Sequence, residues 1–374
     1  MALCANCVMV QKKYLRSLWP ALAALALSCL FVGWRLSNAG WDALALVELP
    51  RESEGVTAAP KGYDGQFAYY IAIDPAPRDV APKLDAPAYR YQRILYPLLA
   101  RALALADPAA IPWTMLLVNI LAHFLGTWAV AETLIGYGVW PGYALGYGLW
   151  IGLVVGVGTD LTEPCAYALS AAGWLACQRE RDVAGPALLG LGLFAKETGI
   201  FFWAAMLAAG VLTSVSRKRL GVLGIGGLAF AIWQVWLWSA FGEPGIGSGG
   251  ALATPFEWFP FMGLWRIAAV SIPVFLLYIV IFGPSILFPT VWGIIISLRA
   301  ALAGLRDPEV WGLLLNAAII PFLPFSTFRE PLGIVRVASG LVLATILFAA
   351  RYGLKRPLNY SLFWSGMLVI LLNG

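Results

Sequence analysis

Long apolar runs alternate with short polar turns along almost the whole chain, and only one polar interval is long. The first apolar run, 18–33, follows Lys12, Lys13 and Arg16 and ends without a small-residue cleavage site, so it reads as a retained span entered from the cytoplasm. Between residues 38 and 89 stand Asp42, Glu48, Arg51, Glu52, Glu54, Lys61, Asp64, Asp74, Arg78, Asp79, Lys83 and Asp85, a density of charge that hydrocarbon does not accept. This is a long extracytoplasmic loop, extending over 37–106 with the segment that follows it. Within it Tyr63, Phe67, Tyr70 and Ile71 recur at helical spacing and predict a helix on the membrane surface, its aromatic face toward lipid and Asp64 turned elsewhere. Residues 93–106 are apolar but, at about 1.5 Å per residue, cannot cross a core of about 30 Å, and predict a second interfacial or re-entrant helix.

Apolar runs at 112–135 and 140–157 lead in and out, and a turn at 158–164 then presents Asp160 and Glu163. Pro164 suits the first turn of the next helix, with Thr162 as its cap. Residues 185–213 are interrupted by Ala195, Lys196, Glu197, Thr198 and Gly199; two short spans meeting near the outer surface cost less than a charged pair at mid-bilayer. Further runs at 220–241, 273–298, 310–325, 332–350 and 358–372 bring the hydropathy count to about eleven spans. Cationic short loops then fall on one side, and the motifs around Asp64, Asp160, Lys196 and Arg329 on the other. Gly138, Gly142 and Gly146, then Gly148, Gly152 and Gly156, have the spacing that permits close helix packing in lipid.

Composition agrees with an all-α, polytopic membrane protein forming a single domain over 1–374. Of 374 residues 60% are hydrophobic and 12% charged, with mean hydropathy +0.78, too few charges to cover a soluble surface. The net charge of +5 comes from Lys and Arg in short loops, the positive-inside pattern rather than a nucleic-acid surface. Five scattered cysteines imply no disulfide framework. Cys4 and Cys7 supply two of the four ligands a zinc site needs, and the one histidine, His123, sits in an apolar run as a hydrogen-bonded packing residue. Chemistry that requires two histidines is excluded.

The third outer motif runs from Ser326 to Leu332 and leads into a span holding Arg336. Seven residues is nearly two helical turns, so Arg329 and Arg336 are expected on one face, with Arg336 about 10 Å deeper in the membrane. An intramembrane arginine calls for an anionic partner, either Glu330, Glu197 or Glu163 in an ion pair, or a bound phosphate matched to its planar fork of donors.

The segments YDGQFAYY, YRYQRILYP, TDLTEP, FAKETG and FREPLGIVR, in this order and sidedness, resemble the GT-C class of membrane glycosyltransferases, and specifically bacterial mannosyltransferase-like proteins related to the PIG-V group. The resemblance covers nearly the whole chain. It implies a GT-C fold with its site facing the periplasm or exterior of the plasma membrane, a polyprenyl-phosphate sugar as donor, and a glycan, lipid or protein as acceptor. It also implies that an acidic residue of the first loop, here Asp64, is the catalytic base. Many members need no metal; this chain lacks a tight Asp-x-Asp or Asp-Asp pair in that loop and has no appended soluble domain, which leaves metal and acceptor open.

Such chemistry suits these residues. A hydroxyl attacking an anomeric carbon needs a carboxylate to take its proton, and the phosphate leaving group needs positive charge rather than a proton. Asp64 serves the first need, with Asp160 and Glu163 as supporting carboxylates or as the base themselves; Arg329, Arg336 and Lys196 serve the second. Tyr63, Gln66, Tyr70 and Arg90 are candidate sugar contacts, and Gly65 would let a sugar approach the backbone. For Asp64 the rival is a helix N-cap, and for the tyrosines it is interfacial anchoring. At the level of the whole chain the rival is a transporter or lipid-linked-sugar flippase, which would show polar residues along a path from both sides.

Overall fold

Proline marks where several helices of this apolar chain begin. Pro112, Pro164, Pro308 and Pro331 each stand in the first turn of theirs, where the missing N–H is no loss. The computed structural model describes the backbone of residues 2–49 and 63–373 and the side chains of 16–49 and 63–371, and its regular structure there is entirely helical. Cys4, Cys7, Arg51, Glu52, Glu54 and Lys61 lie outside the described side chains.

Among the described residues five helices are long and apolar enough to cross a membrane: Arg16–Asn38, Ile111–Gly136, Arg217–Phe241, Ile272–Leu302 and Pro331–Arg351. A sixth span arises if the pair Pro141–Gly148 and Ile151–Gly158, bent by 56°, counts as one. The remaining apolar runs form shorter helices, among them Ala184–Ala195, Glu197–Thr213 and Pro308–Phe322. About eleven crossings were expected from hydropathy; the other apolar runs form helices of 17 residues or fewer, too short to count as spans by length alone. The break at Lys196 lies where the sequence put it, with that residue extended between two helices. The last run differs: Lys355–Ser361 is α-helical and Leu362–Asn373 continues as a 3-10 helix.

Polar side chains satisfy the bend. His123 Nε2 donates to the freed carbonyl of Gly148 at 2.7 Å, so its Nδ1 accepts from the Ser28 hydroxyl at 3.0 Å. Trp150 Nε1 donates to Val335 O at 2.8 Å, and a Cβ on Gly152 would stand 2.3 Å from that same oxygen. His123 is thus the packing residue its apolar surroundings suggested.

The first loop corrects one expectation. The helix Gly65–Ile73 is buried rather than spread on lipid: Phe67 and Ile71 pack against Val80, Leu84, Tyr91, Ile94 and Leu237, with Tyr70 against the same cluster. The loop's own short helices, Pro77–Val80 and Pro87–Tyr91, fold back to cover the aromatic face. Arg101 caps the far end, donating to the carbonyls of Ala72 and Ile73 at 2.8 and 2.5 Å. Its own helix, Leu95–Leu103, buries Tyr96 and Ala100 and exposes Leu98, Leu99 and Leu103, the two-sided pattern of an interfacial helix.

Two bundle ends follow from the ion pairs. At one, Arg179 meets Glu132, Arg219 meets Asp182, Arg351 meets Asp307, and Tyr137 donates to Glu309. At the other lie Asp64, Glu163, Lys196 and Arg336.

Gly65 is the joint between the first loop and the second outer turn. A Cβ there would lie 2.4 Å from Thr159 O and 3.3 Å from Val47 O, so the space once assigned to a sugar is filled by backbone. Gly65→Ala should lower thermal stability by about 1–3 kcal/mol through overpacking. Gly221→Ala, where a Cβ meets nothing within 4 Å, should leave it unchanged or raised. Equal melting temperatures for the two variants would contradict this packing.

Candidate functional site

Asp64 occupies the N-cap position of Gly65–Ile73, yet its carboxylate makes no capping hydrogen bond. Instead it bridges two guanidinium groups, Oδ1 to Arg90 Nη1 at 2.9 Å and Oδ2 to Arg336 Nη2 at 2.8 Å. Arg90 comes from Pro87–Tyr91 and is itself forked onto Asp85 at 2.7 and 2.9 Å, with Phe67 4.2 Å from its guanidinium carbon. Arg336 comes from Pro331–Val337 and uses its remaining donors on Glu163 Oε1 (2.7 Å) and on the Tyr63 hydroxyl (2.9 Å).

Behind this bridge lies a second layer. Lys196 Nζ reaches Glu163 Oε1 at 2.8 Å, and Arg93 forks onto Glu197 at 2.8 and 2.6 Å over the Tyr89 ring. Four cations, Arg90, Arg93, Lys196 and Arg336, thus face four carboxylates, Asp64, Asp85, Glu163 and Glu197. Pairing is what makes so much charge tolerable in a dry region. Asp64 is the most accessible of the eight, its side chain 28% exposed against 8% and 7% for Arg90 and Arg336. Burial pushes its carboxyl up, but Arg336, Arg90 and Arg93 together outweigh burial and hold it well below the usual carboxylate range.

The bridge forms one wall of a cleft whose other residues include Arg93, Asp160, Leu161 and Thr162. Its volume is about 20 Å³, room for one water, so the site is closed as it stands. Asp160 sits on the turn with φ of 51°, a left-handed conformation that aspartate tolerates. Tyr96 donates to its Oδ1 at 3.4 Å, and Asn119 in turn donates to Tyr96 at 2.8 Å and to Leu161 O at 3.0 Å. Asp160 Oδ2, Thr162 Oγ1 and Glu163 Oε2 are buried without a hydrogen-bond partner among the described residues. Among the described residues no cation pairs with Asp160, and burial pushes its carboxyl up to about 8 against the Tyr96 hydrogen bond and the charge of Arg35.

Of the residues singled out by sequence, Asp64, Tyr63, Arg90, Asp160, Glu163, Lys196 and Arg336 come together. Arg329 does not: it is exposed, its guanidinium 5.8 Å from the Phe325 ring. Pro331 drives Glu330 into an extended conformation, which separates Phe325–Arg329 from Pro331–Val337 and breaks the shared face expected of the two arginines. Lys196 is buried behind Glu163 and does not line the cleft. Arg90 engages carboxylates, Tyr70 belongs to an apolar cluster, and Gln66 is buried in its helix. Thr162 precedes the helix Glu163–Gln178 as expected, but its hydroxyl makes no cap. Asp160 and Glu163 diverge because that helix starts only at Glu163.

Sequence reasoning missed the Arg93–Glu197 pair, Asp85, Tyr96 and Asn119. Arg90 and Arg93, three residues apart, and an asparagine inside a 26-residue apolar helix were the available signals. Among the described residues no cluster of three or more His, Cys, Asp or Glu side chains is arranged to hold a metal. Compared with protein-family models, curated proteins and solved structures, the chain matches none.

Asp160 gives the site a pH signature. The unfolded chain ionises this carboxyl above about pH 4, whereas the folded protein keeps it protonated to about 8, so its contribution to stability declines as pH rises through that window. The melting temperature of Asp160→Asn minus that of the unaltered protein should therefore increase from pH 5 to pH 8. A difference independent of pH would show that Asp160 titrates normally.

Proposed function

We propose that the protein is a membrane glycosyltransferase of the GT-C kind, which moves a sugar, with mannose as the candidate, from a polyprenyl-phosphate donor to a hydroxyl of an extracytoplasmic glycan, lipid or protein. The observation that carries this reading is the Asp64 carboxylate held between Arg90 and Arg336 at 2.9 and 2.8 Å. An anion bridging two guanidinium forks is the arrangement a phosphate adopts.

The charge balance supports an exchange. A polyprenyl-phosphate sugar is a phosphodiester with one negative charge, so it replaces the Asp64 carboxylate between the arginines one anion for one. Released from the bridge, Asp64 loses the charges that depressed its pKa and becomes a better base. The acceptor oxygen attacks the anomeric carbon from the face opposite the phosphate while Asp64 takes its proton. The bond from that carbon to the phosphate oxygen breaks with its electron pair on the phosphate, and the configuration inverts. Arg90 and Arg336 then hold a lipid phosphate of higher charge, so they stabilise the leaving group more than the ground state. Glu163 and Lys196 keep Arg336 in place from behind. The closed cleft agrees with this order, because no donor enters until Asp64 moves.

By the positive-inside rule the end bearing Arg181, Arg217, Lys218 and Arg219 faces the cytoplasm, and the site faces outward. The bent pair Pro141–Gly148 and Ile151–Gly158 offers the one observation on the side of a transporter, since broken helices expose carbonyls to ions. Here the Gly148 carbonyl already accepts from His123, which favours packing over transport.

Purified protein assayed with a polyprenyl-phosphate sugar decides the matter. Asp64→Asn should lose about 100-fold to 10,000-fold in transfer rate while binding polyprenyl phosphate at least as tightly as the unaltered protein, because the competing carboxylate is gone. Near-full turnover in Asp64→Asn with none in Asp160→Asn would move the base to the second turn. Weakened lipid-phosphate binding in Asp64→Asn would contradict the exchange.

A further inference from the structure

A second, roomier cavity lies away from this site, at the end of the bundle where Arg351 pairs with Asp307. Its volume is about 730 Å³, within the usual range for a small-molecule pocket. Phe288, Trp292 and Ile296 of one helix face Tyr360 and Trp364 across it, so its walls are apolar and aromatic. Lys355 and Arg356 close one end, four and five residues beyond Arg351; both are exposed, and neither forms an ion pair among the described residues. Thr345 also borders the cavity. It is 2% exposed, and its hydroxyl has no hydrogen-bond partner among the described residues, not even the carbonyl one turn back that helical threonines commonly use. The indole N–H of Trp364, likewise buried, is a second unpartnered donor in the wall.

We propose that this cavity is a binding site for an anionic diacyl phospholipid, its phosphate at Lys355 and Arg356, its glycerol ester region at Thr345 and an acyl chain along the Trp292 and Trp364 wall. Charge complementarity selects an anionic head group, because two unpaired cations stand where an apolar groove meets the membrane surface. Thr345 selects a diacyl lipid over an isoprenoid phosphate. It lies six residues before Arg351, about 9 Å inward along the helix, at a depth where a glycerolipid carries ester carbonyls that accept hydrogen bonds and an isoprenoid chain carries only hydrocarbon. By the positive-inside rule this lipid belongs to the cytoplasmic leaflet. The proposal is independent of the sugar-transfer reading, since it shares no residue with the outer cleft.

The test is native mass spectrometry of the full chain, delipidated in detergent and titrated with phosphatidylglycerol, phosphatidylcholine or undecaprenyl phosphate. The unaltered protein should retain one phosphatidylglycerol in preference to either competitor. Lys355→Gln together with Arg356→Gln should weaken phosphatidylglycerol by about tenfold or more and abolish its advantage over phosphatidylcholine. Thr345→Val should weaken both glycerolipids and leave undecaprenyl phosphate unchanged. Ile296→Trp, which fills the groove without altering charge, should remove the tight site, while Arg306→Gln, at the same end but outside the cavity, should not. Retained lipid in each variant, checked as folded by its melting temperature in detergent alone, would overturn the assignment. So would equal retention of phosphatidylglycerol and phosphatidylcholine, or a preference for undecaprenyl phosphate.

Discussion

A buried guanidinium on a membrane helix has to be neutralised, and the requirements of Arg336 shape the site end of this bundle. Its donors take Glu163 from the start of one helix, Asp64 from the start of another and the hydroxyl of Tyr63. Glu163 in turn holds Lys196 at the break between two short helices. Asp64 extends the chain of charges to Arg90 and Asp85 in the first loop. That loop therefore folds inward over the helix Gly65–Ile73. Taking away one partner of such a pair leaves a buried charge, which typically costs about 3–5 kcal/mol.

The two ends of the molecule treat charge differently. At the site end every cation near the cleft is matched, the space is closed, and binding an anion requires a carboxylate to give way. At the opposite end Lys355 and Arg356 are unmatched among the described residues, beside a cavity already open. An exchange mechanism suits a substrate that comes and goes. A preformed, unpaired site suits a lipid that stays.

Much of this was legible in the sequence. Runs of apolar residues gave the helical membrane architecture, the charged interruption at Lys196 gave the break between Ala184–Ala195 and Ile200–Thr213, and Arg336 announced its need for an acidic partner. Position along the chain was the weaker guide to three-dimensional company. Arg329 and Arg336 looked like neighbours on one helix until Pro331 separated them. The aromatic face of Gly65–Ile73 looked suited to lipid because hydropathy cannot tell lipid from a loop folded back on itself. Arg93 and Glu197, 104 residues apart, pair through tertiary structure alone. The span count was legible only coarsely, since the run 140–157 bends at Trp150 and several other apolar runs form helices of 17 residues or fewer.

On the proposed exchange, the Asp64 bridge yields to a lipid phosphate. A structure of the protein with undecaprenyl phosphate bound tests it most directly. Phosphate oxygens should lie within hydrogen-bond distance of both Arg90 and Arg336, with the Asp64 carboxylate withdrawn from both and facing an enlarged cleft. Lipid phosphate bound elsewhere, with Asp64 still bridging the two arginines, would contradict it.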